Sequence, residues 1–262
     1  MQEFAPPLTF ATLVTRLRAA GCVFAEDEAG LLLSTAADPA GLAAMLERRV
    51  AGLPLEHVLG WAEFCGLRID ADPGVFVPRR RTEFLVRQAV ALAPERAVVV
   101  DLCCGTGALG RALASSLPGV ELHATDVEPA AVRCARRNVG GLGTVYEGDL
   151  FAPLPGVLRG RVDVLLANVP YVPTEDVGLL PAEARIHEPR VALDGGDDGL
   201  DVMRRVVAEA PRWLAPGGSL LVETSERQAA RAEETVGSSG LVARVVVSDE
   251  LYATVVVGTR PR

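Results

Sequence analysis

The chain of 262 residues carries 26 Lys and Arg against 34 Asp and Glu, a net charge of -8, with 49% hydrophobic and 23% charged residues. That balance suits a globular chain with room for one large domain or a large and a small one, and it excludes disordered and collagen-like classes. The acidic excess opposes tight binding to nucleic acid, which rests on neutralising phosphates with Lys and Arg, and no apolar run approaches the roughly 18 to 20 residues that a bilayer demands.

Met1 to Thr9 holds Glu3 and two prolines and lacks the basic start and apolar stretch of a signal peptide, so a cytoplasmic enzyme is expected. From Leu8 to about Val50, apolar residues recur at three- and four-residue steps, Phe10, Leu13, Leu17 and Ala20 among them. This spacing predicts short amphipathic helices, and residues 1–52 are expected to form a helical substrate-recognition domain. Val58-Leu59-Gly60-Trp61-Ala62-Glu63-Phe64 and Leu67-Arg68-Ile69-Asp70 then read as two strands around Gly66, followed by a turn at Asp72-Pro73-Gly74. Residues 53–80 are therefore expected to be a β-hairpin linker. Arg79, Arg80 and Arg81 make a short basic cluster that reads as a solvated loop.

From Ala97 onward, β-branched runs alternate with helix-like segments: Ala97 to Leu102, Val120 to Asp126, Gly143 to Tyr146, Val162 to Ala167, Ser219 to Thr224 and Leu251 to Gly258. Such alternation predicts an α/β fold, a doubly wound and mainly parallel sheet, over a catalytic domain at residues 81–262. Pro216-Gly217-Gly218 reads as a turn into the Ser219 strand, and Leu241 to Ser248 with Leu251 to Gly258 as an antiparallel edge pair. Five cysteines (Cys22, Cys65, Cys103, Cys104, Cys134) without a Cys-x-x-Cys pair suggest neither disulfides nor zinc, and no metal is expected. His57, His123 and His187 fit no triad or metal pattern and read as structural, and Trp61 and Trp213 as packing residues.

The first strand of this domain ends in Asp101 and runs through Leu102-Cys103-Cys104-Gly105-Thr106-Gly107 into Ala108-Leu109-Gly110, with a helix predicted from Arg111 to Leu117. Glycines at a strand-to-helix turn let a ligand approach the backbone at the carboxyl ends of the strands. The next strand ends in Asp126, about 20 residues past the glycines, where a carboxylate can accept from both hydroxyls of a ribose. Gly105, Gly107 and Gly110 match the dinucleotide spacing, so NAD is not excluded by spacing. Asp101, however, offers a carboxylate where the ammonium end of a methionine could lie, and it would repel a pyrophosphate. S-adenosylmethionine is therefore favoured. Asp149 could accept from an adenine amino group, with Leu150 packing near the ring.

The fourth strand delivers Asn168-Val169-Pro170-Tyr171 at its carboxyl end. An amide nitrogen is a poor nucleophile because its lone pair is delocalised into the carbonyl. A site that methylates it must grip the NH2 by its two hydrogens, stabilising the charge that builds on nitrogen. Asn168 can supply one acceptor through its side-chain oxygen and Val169 the other through its carbonyl, while Pro170 stiffens the turn and Tyr171 offers a flat face to a planar group.

With these motifs in place the chain resembles the release-factor glutamine N5-methyltransferases of the HemK/PrmC family over nearly its whole length. Leu59-Gly60-Trp61-Ala62-Glu63-Phe64-Cys65-Gly66-Leu67, Val77-Pro78-Arg79-Arg80-Arg81-Thr82-Glu83, Glu188-Pro189-Arg190-Val191-Ala192-Leu193 and Gly195-Gly196-Asp197-Asp198-Gly199-Leu200 carry the likeness alongside the glycine loop and the Asn168 to Tyr171 turn. The resemblance implies that Cys103 to Gly107, Asp126 and Leu150 line the cofactor site and that Asn168 to Tyr171 hold a substrate glutamine. It thus implies a class I S-adenosylmethionine-dependent methyltransferase whose partner is a protein, a peptide chain release factor. Two departures stand out. Val169 occupies the place of the family's first proline, and Cys103-Cys104 the place of its Gly-Thr, where either thiol is a candidate for oxidation. Three other activities stay open: methyl transfer to a small amide or amine, adenine N6-methylation of nucleic acid, and cofactor binding without catalysis.

Overall fold

The computed structural model describes residues 8–262, so most of the Met1 to Thr9 stretch read for a signal peptide lies outside the described residues. Thr9 caps α1 (Phe10–Ala19) by accepting from the Thr12 amide at 3.2 Å, and Asp38 caps α3 (Pro39–Val50) through Gly41 at 2.7 Å, with Pro39 in the first turn. Between them lies α2 (Ala25–Thr35). Leu13, Leu17, Leu32 and Leu46 are fully buried where the three helices meet, forming a core separate from the rest. Phe10 and Ala20, expected on the same stripe, face outward, and Val14 takes the buried place instead. The stripe is narrower because α1 packs on only one side.

The linker is part helix. Leu55–Leu59 forms a short helix, α4, that Gly60 ends in a left-handed cap, so Val58 and Leu59 belong to it and not to the first strand as expected. The hairpin proper pairs β1 (Trp61–Phe64) with β2 (Leu67–Asp70), and Phe64 and Ile69 bury themselves in the main core.

After α5 (Glu83–Leu92) the chain winds β3 (Val98–Leu102), α6 (Ala108–Ser116), β4 (Glu121–Asp126), α7 (Pro129–Val139), β5 (Gly143–Glu147) and β6 (Val162–Ala167). A long connection holding α8 (Ala182–His187) leads to α9 (Asp201–Trp213), β7 (Leu214–Thr224), α10 (Ala229–Ser238), β8 (Val242–Ser248) and β9 (Ala253–Thr259). The sheet order is β5-β4-β3-β6-β7-β9-β8, with the first five strands parallel and β9 antiparallel to both neighbours. The mainly parallel doubly wound sheet and the antiparallel end agree with the sequence. Apolar side chains cover both faces, one under α5, α6 and α7, the other under α9 and α10. Pro216-Gly217-Gly218 is a bulge inside β7, which already pairs at Leu214 and resumes at Ser219, and not a turn ahead of it. The order reverses between β3 and β6, which opens a crevice at their carboxyl ends.

Candidate active site

A cavity of about 390 Å3 fills that crevice. Cys103, Cys104, Gly105 and Thr106 from the loop after β3, Asp126 from the end of β4 and Asn168 to Tyr171 from the end of β6 all line it. Phe76 and Arg79 from the linker and Glu183 and Glu188 from the connection around α8 close its other sides.

The loop's three glycines serve different ends. Gly105, at φ +55°, has only the Phe76 carbonyl near the place of a Cβ and faces the open cavity. A Cβ on Gly107 would lie 3.1 Å from Ala135 and Val139 of α7, and one on Gly110 3.0 Å from Leu122. Close packing of helices and sheet thus accounts for the dinucleotide-like spacing. Cys103 keeps the left-handed backbone, φ +54°, despite carrying a side chain, a strain of roughly 1 kcal/mol. Burial pushes the Cys103 and Cys104 thiols up, which favours the protonated form of each.

Two backbone amides anchor the Asp126 carboxylate at the cavity border. Its Oδ2 accepts from the Gly105 amide at 2.8 Å and its Oδ1 from the Glu128 amide at 2.9 Å. Burial holds its carboxyl above the usual range. Among the described residues the Asn168 side chain and the Val169 carbonyl have no hydrogen-bond partner, leaving both free at the cavity wall. These groups fit an adenosine-containing cofactor beside a planar NH2: an open glycine, an anchored carboxylate and two unspent acceptors.

Four residues expected at the cofactor stand off the wall of the main cavity: Asp101, Asp149, Leu150 and Gly107, the last packed on α7. Asp101 is 1% exposed and off the cavity wall, because its Oδ2 turns under the loop to accept from the Gly110 amide at 2.9 Å. Its Oδ1 has no partner, and burial pushes the carboxyl up to about 7. In the unfolded chain the same group titrates near 4, so as pH rises from there toward 7 the unfolded state ionises first and folding loses stability on the order of a few kcal/mol. Asp101→Asn, which keeps the acceptor for Gly110, is expected to gain on the unsubstituted chain as pH rises from 4 to 7 in urea unfolding without cofactor. A stability difference that stays constant over this range would refute the account. Asp149 is exposed and pairs with Arg205 of α9, and it and Leu150 border a separate hollow of about 190 Å3 beside Trp213. Arg205 draws the carboxylate away from the main cavity.

The basic cluster is not a solvated loop. Arg79 bridges both oxygens of the buried Glu188 at 2.6 and 2.7 Å, and Arg81 reaches Glu223 at 3.2 Å and the Tyr171 hydroxyl at 2.5 Å. Only Arg80 remains without a pair among the three in the described residues. Asn138, which no motif marked, ties the hairpin to the cofactor loop: it donates to the Asp70 and Thr106 carbonyls at 2.9 Å and accepts from the Asp70 amide at 2.8 Å. Arg49, buried with Glu28 in the helical unit, reaches Glu183 at 2.6 Å on the cavity rim. His57, at 2.9 Å from the Val75 carbonyl, and Trp213, stacked on Phe151, are packed in the interior as expected.

The Gly195 to Gly199 segment braces the reactive turn from behind. Gln228 donates to the Tyr171 and Asp198 carbonyls at 2.9 Å, binding the turn to this loop. A Cβ on Gly195 would lie 2.7 Å from the Pro170 carbonyl, and one on Gly199, at φ +75°, would run into the Tyr171 carbonyl and Gln228.

Residues 66–197 match the family model described as a methyltransferase small domain. A release factor glutamine methyltransferase of Geobacter sulfurreducens is 43% identical over 71% of this chain, and the matched stretch spans 65% of that relative. One of Mycolicibacterium smegmatis is 41% identical, covering 86% of this chain and 82% of the relative. A 4-amino-L-phenylalanine/4-methylamino-L-phenylalanine methyltransferase of Streptomyces pristinaespiralis is 36% identical over 74% of the chain and 69% of its own. In structure, a methyltransferase from Pyrococcus furiosus superposes with a TM-score of 0.56 at 18% identity, over 75% of this chain and 90% of that one, which places the fold.

Proposed function

The chain belongs to the family of release factor glutamine methyltransferases and is an S-adenosylmethionine-dependent enzyme, and from that premise we propose that it methylates the side-chain amide nitrogen of a glutamine in a peptide chain release factor. The observation that carries the proposal is the pair of unspent acceptors, Asn168 and Val169, on the wall of a cavity shared with the glycine loop.

The bound cofactor supplies an electrophilic methyl group on a sulfonium. Cys103 to Thr106, Asp126 and Asn168 would hold it, with the Asp126 carboxylate placed to accept from ribose hydroxyls. Asn168 accepts one N–H of the substrate amide and the Val169 carbonyl the other, which fixes the NH2 plane and stabilises charge on nitrogen as its lone pair is drawn out of resonance. Pro170 keeps the turn rigid and Tyr171 lies against the amide plane. Transfer would form the N–CH3 bond as the S–CH3 bond breaks, leaving the cofactor a neutral thioether, and one N–H proton would pass to solvent. The helical unit recognises the protein substrate, and the Arg49 to Glu183 pair couples it to the cavity rim. No helix among the described residues is long and apolar enough to cross a membrane, and we place the enzyme in the cytoplasm.

A second acceptor class has one observation in its favour. The relative named for methylating 4-amino-L-phenylalanine supports an aromatic amine as the alternative acceptor, and Val169 stands in the turn proposed to meet it. The full chain, incubated with methyl-labelled S-adenosylmethionine and a bacterial release factor, is expected to label a single glutamine side chain, located by peptide mass. Label on 4-aminophenylalanine and none on the release factor would transfer the assignment to the amine, and no transfer to either would end both.

A further inference from the structure

The Tyr171 hydroxyl is fully committed. It donates to Glu223 Oε1 at 3.1 Å and accepts from Arg81 at 2.5 Å, and Arg81 in turn reaches the same Glu223 oxygen at 3.2 Å. These three groups come from the β6 turn, the end of β7 and the segment before α5, and Glu223 stands beside Asn168 because Ala167 pairs with Val222 in the parallel register. Glu223 is 2% exposed and its Oε2 has no partner. A buried, half-satisfied carboxylate is a poor device for stability, since well-packed apolar residues often serve as well or better. Its geometry does accomplish something else: with both valences of the hydroxyl used, Tyr171 can turn only its ring toward the cavity. Burial and Glu223 push the phenol up, so it holds its proton and takes no part in acid–base exchange.

We propose that Glu223 and Arg81 are positioning residues for methyl transfer, acting through the Tyr171 hydroxyl to hold the ring against the plane of the acceptor NH2. The proposal rests on the assignment of Asn168 to Tyr171 as the amide-holding turn, and it adds Glu223, which lies behind the cavity wall, and Arg81, which lines the cavity while binding the Tyr171 hydroxyl.

A double-mutant cycle tests it in single-turnover transfer to the release factor at saturating S-adenosylmethionine, with rates normalised to folded protein. Tyr171→Phe and Glu223→Ala are each expected to slow transfer about 10-fold, because a loosened ring misplaces the acceptor, while the double variant is no slower than Tyr171→Phe alone. Glu223→Gln, which keeps the acceptor for the hydroxyl, should recover to within about 3-fold of the unsubstituted rate. Arg81→Met replaces Glu223→Ala in the cycle if the latter does not fold. Fold-losses that multiply in the double variant, or a Glu223→Ala rate equal to that of the unsubstituted chain, overturn the proposal.

A substrate-free measurement separates this from the substrate assignment. The Tyr171 hydroxyl proton, identified by its loss in Tyr171→Phe, should exchange slowly enough to be seen by proton NMR and should vanish in Glu223→Ala, which removes its acceptor. Its absence from the unsubstituted chain overturns the proposal, whereas an enzyme that shows this proton but leaves the release factor unlabelled fails only in its substrate.

Discussion

Asn168→Ala will slow single-turnover methyl transfer about 100-fold or more while leaving S-adenosylmethionine affinity nearly unchanged, the loss that follows removal of one positioned transition-state hydrogen bond. The separation of effects comes from the geometry. Asn168 shares the cavity with the glycine loop and Asp126, but its side chain has no partner in the described residues, so removing it disturbs no scaffold. Asn168→Asp keeps an acceptor at the same place and should retain more activity than the alanine variant. Val169→Pro should be tolerated, because proline keeps the carbonyl and gives up only an N–H that pairs with nothing among the described residues. An Asn168→Ala rate equal to that of the unsubstituted chain would remove the amide-gripping role. An inactive Val169→Pro would show instead that the turn is shaped for another acceptor, such as an aromatic amine.

Gly199→Ala is expected to cost nearly as much from outside the chemistry. Gly199 sits at φ +75°, where a side chain is strained by about 1 kcal/mol, and its Cβ would collide with the Tyr171 carbonyl and the Gln228 amide. A backbone carbonyl cannot swing aside as a side chain does, so the reactive turn must shift. A displacement near 1 Å at an acceptor site costs on the order of 100-fold in rate. Cofactor affinity should hold, since the loop of Gly105 and Asp126 lies on the other wall. Gly178→Ala is the matched control: it lies in the same connection, has nothing near its Cβ and shows no positive φ, and it should leave transfer unchanged. Full activity in Gly199→Ala would mean that the turn does not depend on this contact.

Where the chemistry of a segment is local, the residues declared it. The β-branched runs at Val98–Leu102 and Val162–Ala167 announced strands buried on both faces, and their alternation with helices left a parallel sheet as the packing solution. The turn residues did the same for the site, since glycines after a strand and an Asn-x-Pro-Tyr turn after another can only gather at the carboxyl ends of such a sheet. Boundaries were less legible. Val58 and Leu59 suit a strand by composition, and they became helix because Gly60 could terminate one and the helical core had room for both.

What the sequence by itself determined was therefore the α/β class and the glycine loop, Asp126 and Asn168 to Tyr171 turn that meet in one cavity, because periodicity, glycine and proline act over a few residues. Only the tertiary structure decided which charges belong to the site. Arg79 finds Glu188 across 109 positions and Arg81 finds Glu223 across 142, while Asp101, close to the loop in sequence, turns beneath it to Gly110. No local pattern encodes such pairs. A charge can lie buried only where the fold brings its partner within hydrogen-bond reach, and that meeting exists once the strands are in register and not before.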